Sequence, residues 1–152
     1  MNRLLKIAVA AAFGVVSVAG MAYAQAKPED LLKYRQGVMR GVAFQNGPLN
    51  AFAKGEVPWS PALAQRAANL AALAVVAGDV FSPASQNIPN SDAKPEIWAK
   101  PDDFKKALAA FQAETAKLGE LARGGNADAI KAQIAAVGKT CGGCHDNFRV
   151  KR

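Results

Sequence analysis

The residues best suited to chemistry lie within five consecutive positions near the end of the chain. Cys141, Cys144 and His145, in the stretch TCGGCHDNFR, are the only two cysteines and the only histidine among the 152 residues. On a helix they stand at positions i, i+3 and i+4, so the three side chains share one face. Two thiols and an imidazole on one face indicate a site that holds a metal or a cofactor.

Three kinds of site use such a motif, and the sequence meets the requirements of one of them better than those of the other two. A thioredoxin-like redox pair needs C-x-x-C after a strand, at a helix N-terminus, whereas this motif lies at the far end of a helical segment. A closed zinc site needs four ligands, so an Asp would have to complete it. C-x-x-C-H is the attachment signature of haem c, in which each thiol adds to one vinyl group. We therefore expect one covalently attached haem c, anchored by Cys141 and Cys144, with His145 as axial iron ligand.

The N-terminus has the pattern of an export signal. Arg3 and Lys6 precede the apolar run IAVAAAFGVVSVAGMA, and Ala22-Tyr23-Ala24 forms a small-x-small cleavage site. The run is too short and too rich in alanine and glycine for a membrane anchor. We expect residues 1–24 to be a cleaved signal peptide and residues 25–152 to form one domain in the periplasm.

The net charge of the chain is positive, but the basic residues are spread along the sequence. Lysine and arginine number 19 against 12 acidic residues, which gives a formal net charge of +7. No basic run is interleaved with aromatic residues, so the sequence argues against nucleic acid as a partner. No stretch after the signal is long and apolar enough to span a bilayer, so we expect no membrane span after cleavage.

Four segments of helical period, separated by glycine and proline, follow the N-terminal run. The first begins at Pro28, and Asn46-Gly47-Pro48 predicts a kink or a break in it. The second opens with Ser60 as N-cap and Pro61 as first helical residue. A long irregular stretch, residues 81–100, precedes the third, and connections of this length are often functional.

The last two helical segments have the clearest pattern. The third runs from about Pro101 to Gly124-Gly125, and the fourth starts near Asn126 as N-cap. In both, the apolar positions step by 4, 3, 4, 3, 4 as in a heptad seam. The two seams are Phe104, Leu108, Phe111, Thr115, Leu118, Ala122 and Ile130, Ile134, Val137, Cys141, Cys144, Phe148. The pattern predicts an all-α, antiparallel up-down four-helix bundle with haem in the bundle interior.

The second face of the iron has few candidate ligands. His145 is the only histidine, and Met39 is the only methionine outside the signal segment. A His/Met pair suits electron transfer, whereas an open face suits small gaseous ligands. The residues alone leave both arrangements open, because a thioether serves equally well in packing or as a ligand.

The segment after the signal resembles the cytochrome c′ family of class II c-type cytochromes over its whole length. The stretches that carry the resemblance are AKPEDLLKYRQGVM, DAKPEIW, DDFKKALAAFQ and VGKTCGGCHDNFRVKR. A haem motif near the C-terminus rather than the N-terminus is the strongest family marker. The resemblance implies a haem protein that exchanges single electrons and binds NO or CO, without substrate turnover. Dimers are common in this family, so a homodimer is possible, while the sequence does not identify the redox partner protein.

The resemblance also implies roles outside the motif. Arg35 and Gln36 match positions at the haem edge and propionates, and Asp92 matches a further haem contact. Met39 matches the bulky distal residue that does not ligate, so the iron would be five-coordinate and high-spin. Arg149 matches a basic residue beside the proximal histidine.

Three further points bear on these expectations. Low-spin relatives of the same class, similar to cytochrome c-556, use a ligating methionine at the position of Met39, so a His/Met electron carrier is the alternative function. Arg35 lies within an apolar stripe, which by itself favours a buried anionic partner such as a propionate. The loop from Phe81 to Asp92 does not align firmly with the family, so no distal role is assigned to Phe81.

Overall fold

The computed structural model describes residues 26–151, and the expected signal peptide, residues 1–24, lies outside them. Apart from one isolated antiparallel bridge between Ala93 and Arg149, this part of the chain has no β-structure. No helix within it is long and apolar enough to cross a membrane. The α-helices are α1 (Pro28–Ala53), α2 (Pro61–Val76), α3 (Glu96–Ala99), α4 (Pro101–Gly124) and α5 (Ala127–Phe148).

The long helices begin and end at the residues that the sequence predicts. Pro28 and Pro61 occupy the first turns of α1 and α2. The side chains of Ser60 and Asn126 accept hydrogen bonds from the backbone N–H three residues further on, at 3.4 and 3.0 Å, which is the geometry of an N-cap. Gly125 follows α4 with a φ of 71°, a left-handed conformation that glycine adopts without strain.

The predicted break at Asn46-Gly47-Pro48 is wrong, because α1 continues through it without interruption. A proline inside a helix provides no N–H for the carbonyl four residues earlier, which here belongs to Phe44. Arg66 of α2 donates to that carbonyl from Nη1 at 3.4 Å. Beyond the proline, Leu49 and Phe52 are buried in the core. Burial of these two side chains and a substitute donor together offset the cost of the proline.

Contacts between the long helices show that sequence neighbours run antiparallel. Gln112 of α4 donates to the carbonyl of Ala74 at 3.1 Å, whereas Gly119, further along α4, packs against Ala67, earlier in α2. The same reversal holds for α4 with α5 (Glu114 with Gln133, Phe104 with Phe148) and for α1 with α2 (Gly41 with Leu73, Phe44 with Arg66). These pairings confirm the predicted up-down four-helix bundle.

The core follows the two predicted seams, whose ends Phe104 and Phe148 belong to a second buried cluster, but burial is incomplete at the two cysteines. Leu118 of α4 and Ile130 of α5 are fully buried, and Val137 still lies in the core. Cys141 and Cys144, further along the same seam, are only partly buried. Packing is sparsest between α1 and α5 among the neighbouring pairs of long helices, so the bundle is open on the side where the cysteines lie.

The connection between α2 and α4 is more ordered than the sequence suggests. It contains two 3-10 turns, Asp79–Phe81 and Pro83–Ser85, as well as α3, which is too short to show helical periodicity. Trp98 of α3 donates from Nε1 to the carbonyl of Phe81 at 3.1 Å. The backbone N–H of Val150 donates to the carbonyl of Asp92 at 2.8 Å. The connection, hereafter the connecting segment (residues 77–100), therefore lies against the C-terminal end of α5.

Candidate cofactor site

A cavity of about 520 Å³ opens between α1, α4, α5 and the connecting segment. This volume is typical of cavities that hold small organic ligands and cofactors. Every residue that the sequence singles out lines it: Arg35, Gln36, Met39, Asp92, Cys141, Cys144, His145 and Arg149. Folding thus brings three distant parts of the chain to one site.

The two cysteines reach the cavity from one turn of α5. Both are partly buried, and no disulfide joins them. Burial raises the pKa of the Cys141 thiol, although hydrogen bonds with its own backbone and with Thr140 partly oppose this. Burial also raises the pKa of Cys144, and a charge on Cys141 would raise it further. Both side chains are therefore neutral thiols at neutral pH, unlike the activated thiolates of redox enzymes.

His145 lies on the same turn and is exposed to the cavity. Its pKa is lowered, first by burial and then by the positive charge of Arg149, while Asp146 acts in the opposite direction. A lowered pKa keeps the imidazole neutral at neutral pH, and only the neutral ring has a nitrogen lone pair to offer to a metal. The imidazole is thus in the form that an axial ligand requires.

The connecting segment fixes the end of α5 beside the cavity. Arg149 Nη2 lies 3.7 Å from Asp92 Oδ2. The backbone N–H of Lys94 donates to the carbonyl of Phe148 at 3.0 Å, next to the bridge between Ala93 and Arg149. Arg149 and Asp92 therefore form the part of the rim where α5 and the connecting segment meet.

Arg35 is the most buried charged residue of the site, with 5% of its surface exposed. Its guanidinium donates to the carbonyls of Val80 (3.1 Å) and Ser85 (2.6 Å) and to Ser91 Oγ (2.9 Å). Its flat faces rest on the rings of neighbouring aromatic side chains. Burial lowers its pKa, but an arginine remains charged. The sequence predicts an anionic partner, whereas the hydrogen bonds found here go to neutral acceptors of the connecting segment.

Three phenylalanines form an aromatic wall of the cavity. The ring of Phe104 lies 4.9 Å from that of Phe81 and 5.3 Å from that of Phe148, both in edge-to-face geometry, which is a favourable arrangement. The seams of α4 and α5 predict Phe104 and Phe148. Phe81 lies outside any periodic segment, so no sequence signal assigns it to the site.

Met39 contributes to the wall of the cavity on α1. It is partly buried and packs against the main core cluster. The cysteines and His145 approach from α5, so thioether and imidazole come from different helices. Met39 can therefore act as an apolar cover or as a second ligand.

Sequence reasoning missed two polar residues of α1 that also line the cavity. Arg40 follows Met39 directly and is exposed at the mouth, and Asn46 lies two turns further along. The apolar pattern of α1 is weak, so hydrophobic periodicity does not distinguish these two residues from surface residues. The spacing of Asn46 from Met39 could have identified it, because residues seven apart share a helix face, whereas no such spacing relates Arg40 to Met39.

The charged groups and the apolar walls of the cavity are complementary to a haem group. Three guanidinium groups, those of Arg35, Arg40 and Arg149, line it together with one carboxylate, that of Asp92. The excess of positive charge suits a ligand with carboxylates, and the aromatic and aliphatic walls suit a flat apolar ring. The paired thiols and the neutral imidazole supply the donor set for covalent attachment and for iron. The residues present therefore fit a haem group.

Comparisons with known proteins agree with this description. A sequence model of the family described as Cytochrome C′ matches residues 30–149. Cytochrome c′ from Alcaligenes xylosoxydans xylosoxydans is 35% identical over 127 residues, which cover 84% of this chain and 98% of that protein. Cytochrome c-556 from Agrobacterium tumefaciens is 30% identical over 119 residues, which cover 78% and 95%.

A solved structure has the same arrangement of helices. It is a nitric oxide complex of a variant of cytochrome c prime from Alcaligenes xylosoxidans, with a TM-score of 0.77 and 35% identity. The similarity covers 83% of this chain and 98% of that one. The whole bundle, including the helices around the cavity, is therefore shared.

Proposed function

This chain belongs to the cytochrome c′ family, and on that basis we propose that it is a periplasmic protein that carries single electrons and binds nitric oxide and carbon monoxide at a five-coordinate haem iron. Its cofactor is one covalently attached haem c, which supplies a one-electron iron couple and an axial position for small gases. The observation that carries the proposal is the convergence of Cys141, Cys144, His145 and Met39 on one largely apolar cavity.

Cys141 and Cys144 are the proposed covalent anchors. Each thiol would add across one vinyl group, with its S–H hydrogen going to one vinyl carbon and its sulfur bonding to the other. The addition is neutral in electrons, so it needs no oxidant or reductant. Their spacing of one turn and their neutral state in the cavity support this role.

His145 is the proposed axial ligand, and the other polar residues position the group. The neutral imidazole, on α5 one turn before Arg149, would bind the iron. Gln36, Arg35 and Asp92 lie where a polar edge of the cofactor would enter, consistent with the roles that the family resemblance implies. The contacts of the connecting segment with the end of α5 hold Asp92 beside Arg149.

Met39 is the proposed cover of the distal face. Its packing against the core supports a filling role. A bulky, flexible thioether admits small diatomic gases when it moves and excludes larger ligands. The nitric oxide complex of the related protein supports the choice of gas.

Export to the periplasm is the proposed location. The pattern of residues 1–24 supports cleavage of a signal peptide, which would leave residues 25–152 as the working protein. A homodimer remains a prediction from the resemblance.

A low-spin electron carrier is the alternative, and a specific observation favours it. Met39 is the only methionine among residues 26–151 and lines the same cavity as His145. The similarity to cytochrome c-556 points in the same direction. In this alternative, the thioether would occupy the second axial position and gases would bind slowly.

The absorption spectrum of the ferric holoprotein tests the proposal against its alternative. We expect a broad high-spin spectrum without the methionine–iron charge-transfer band. Met39→Leu is the matched control, because it keeps the volume but removes the sulfur; we expect it to leave the spectrum unchanged. A low-spin spectrum with that band, converted to high-spin by Met39→Leu, would overturn the proposal and support the carrier.

Gas binding gives the second readout for Met39. If this side chain covers the distal face, Met39→Ala should bind carbon monoxide faster than the unaltered ferrous protein, since less has to move. Stopped-flow mixing measures the rate. An unchanged rate would mean that Met39 does not limit access.

A further inference from the structure

The three arginines of the cavity differ in what already holds them. Arg35 donates three hydrogen bonds to the connecting segment, out of the five N–H groups that an arginine has. It is also buried between aromatic rings. Arg35 therefore supplies fixed positive charge to the site, while most of its hydrogen bonding serves the fold.

Arg149 also has a partner within the protein. Its Nη2 lies 3.7 Å from a carboxylate oxygen of Asp92, and the backbone on both sides is held by the bridge between α5 and the connecting segment. The one carboxylate among the residues that line the cavity is thus already engaged by Arg149.

Arg40 is in a different situation. It lines the cavity and is exposed at its mouth. Its contact is a hydrogen bond from Nη2 to Gln36 Oε1 at 3.4 Å, which is long for such a bond. Within residues 26–151, no carboxylate forms an ion pair with it. A full guanidinium is therefore held at the entrance by one weak contact to a neutral amide one helical turn earlier.

We propose that Arg40 binds a carboxylate of the haem at the mouth of the cavity, with Gln36 as the group that positions its guanidinium. This inference rests on the proposed function. A guanidinium and a carboxylate can form two parallel charge-assisted hydrogen bonds, each about twice as strong as a neutral one. The weak bond to Gln36 is thus readily exchanged or shared. The placement of Gln36 at i and Arg40 at i+4 directs both side chains to the same rim.

The reduction potential of the holoprotein tests this assignment, because a cation beside a haem carboxylate favours the less positively charged ferrous form. We expect Arg40→Gln to shift the ferric-to-ferrous ratio, at a fixed applied potential, roughly tenfold towards ferric. Arg40→Lys retains the charge and should recover most of the effect. Arg123→Gln removes the same charge from the exposed last turn of α4, outside the cavity, and serves as the control.

Three outcomes would overturn the inference. The first is a shift in Arg40→Gln no larger than that in Arg123→Gln. The second is an equal shift in Arg40→Gln and Arg40→Lys, which would indicate packing rather than charge. The third is a crystal structure of the holoprotein in which no nitrogen of Arg40 lies within hydrogen-bond distance of a haem carboxylate oxygen.

Failure of this inference is distinguishable from failure of the proposed function. Acid–acetone extraction shows whether haem is covalently attached, independently of Arg40. If the unaltered protein loses its haem, both are wrong. If haem is retained and the potential does not depend on Arg40, only the assignment of Arg40 is wrong.

Discussion

Arg35 shows how a single residue can serve the fold and the site together. It lies within an apolar stripe of α1 and is almost fully buried. Its guanidinium donates to one backbone carbonyl in each of the two 3-10 turns, that of Val80 in Asp79–Phe81 and that of Ser85 in Pro83–Ser85. Carbonyls in short turns have few regular partners, so one guanidinium joins both 3-10 turns to α1.

Loss of this guanidinium should destabilise the whole protein. Arg35→Met keeps much of the side-chain volume but leaves the carbonyls of Val80 and Ser85 without their donor, and we expect a loss of about 2–4 kcal/mol in the free energy of unfolding. Denaturant titration of the holoprotein, followed by circular dichroism, measures it. Arg123→Met is the exposed control, and an equally small effect of both substitutions would contradict this role.

At the scale of secondary structure, α1 depends on a neighbour to remain continuous. Pro48 removes the donor for the carbonyl of Phe44, and Arg66 of α2 supplies a substitute. The ring of Phe44 is exposed but lies under the same guanidinium, 5.2 Å away. The helix is thus stabilised by tertiary contacts at the point where its own sequence disfavours it.

This arrangement predicts a coupling between Pro48 and Arg66. Pro48→Ala restores the missing N–H and should raise the free energy of unfolding by about 1–3 kcal/mol. Arg66→Met should cost less in the Pro48→Ala background than in the unaltered chain, by about 0.5–1 kcal/mol, because Phe44 then has its own helical donor. A double-mutant cycle by denaturant titration measures the difference. If the two changes in the free energy of unfolding were strictly additive, the Arg66 guanidinium would not be replacing the missing helical donor.

For the whole molecule, the bundle has a closed core and an open side. Fully buried residues lie along α2, α4 and the first part of α5, and α1 contributes Leu49. The cavity separates α1 from the last turns of α5, where packing is sparse. Side chains around a gap lose favourable contacts, so the cofactor would contribute substantially to the packing of these two helices.

Without its cofactor the protein should therefore lose stability unevenly. In the double variant Cys141→Ser/Cys144→Ser, purified without haem, we expect faster amide exchange in α1 and in the last turns of α5 than in the holoprotein. Exchange in the middle of α2 and in the second half of α4 should change much less, because these parts of the two helices contribute no residue to the lining of the cavity. Hydrogen–deuterium exchange with mass spectrometry measures this, and a uniform increase over all helices would argue against a cofactor-dependent α1–α5 contact.

Helix limits were largely predictable because they depend on local chemistry. Ser60, Asn126 and Gly125 act through hydrogen bonds and dihedral angles within a few residues of their own positions. The seams of α4 and α5 follow from the requirement to bury apolar side chains. The continuity of α1 through Pro48 was not predictable, because it depends on a donor from another helix. Helix α3 was not predictable because it is a single turn.

The sequence by itself determined which chemical groups are available: two thiols and an imidazole on one helix face, and a single methionine outside the signal segment. It also determined the four long helices, because periodicity and capping are local. Only the tertiary structure decided that Arg35 binds the connecting segment, that Phe81 reaches the cavity and that Arg40 stands at its mouth. These three contacts depend on which surfaces meet when segments distant in sequence pack together, and no local sequence pattern specifies those contacts.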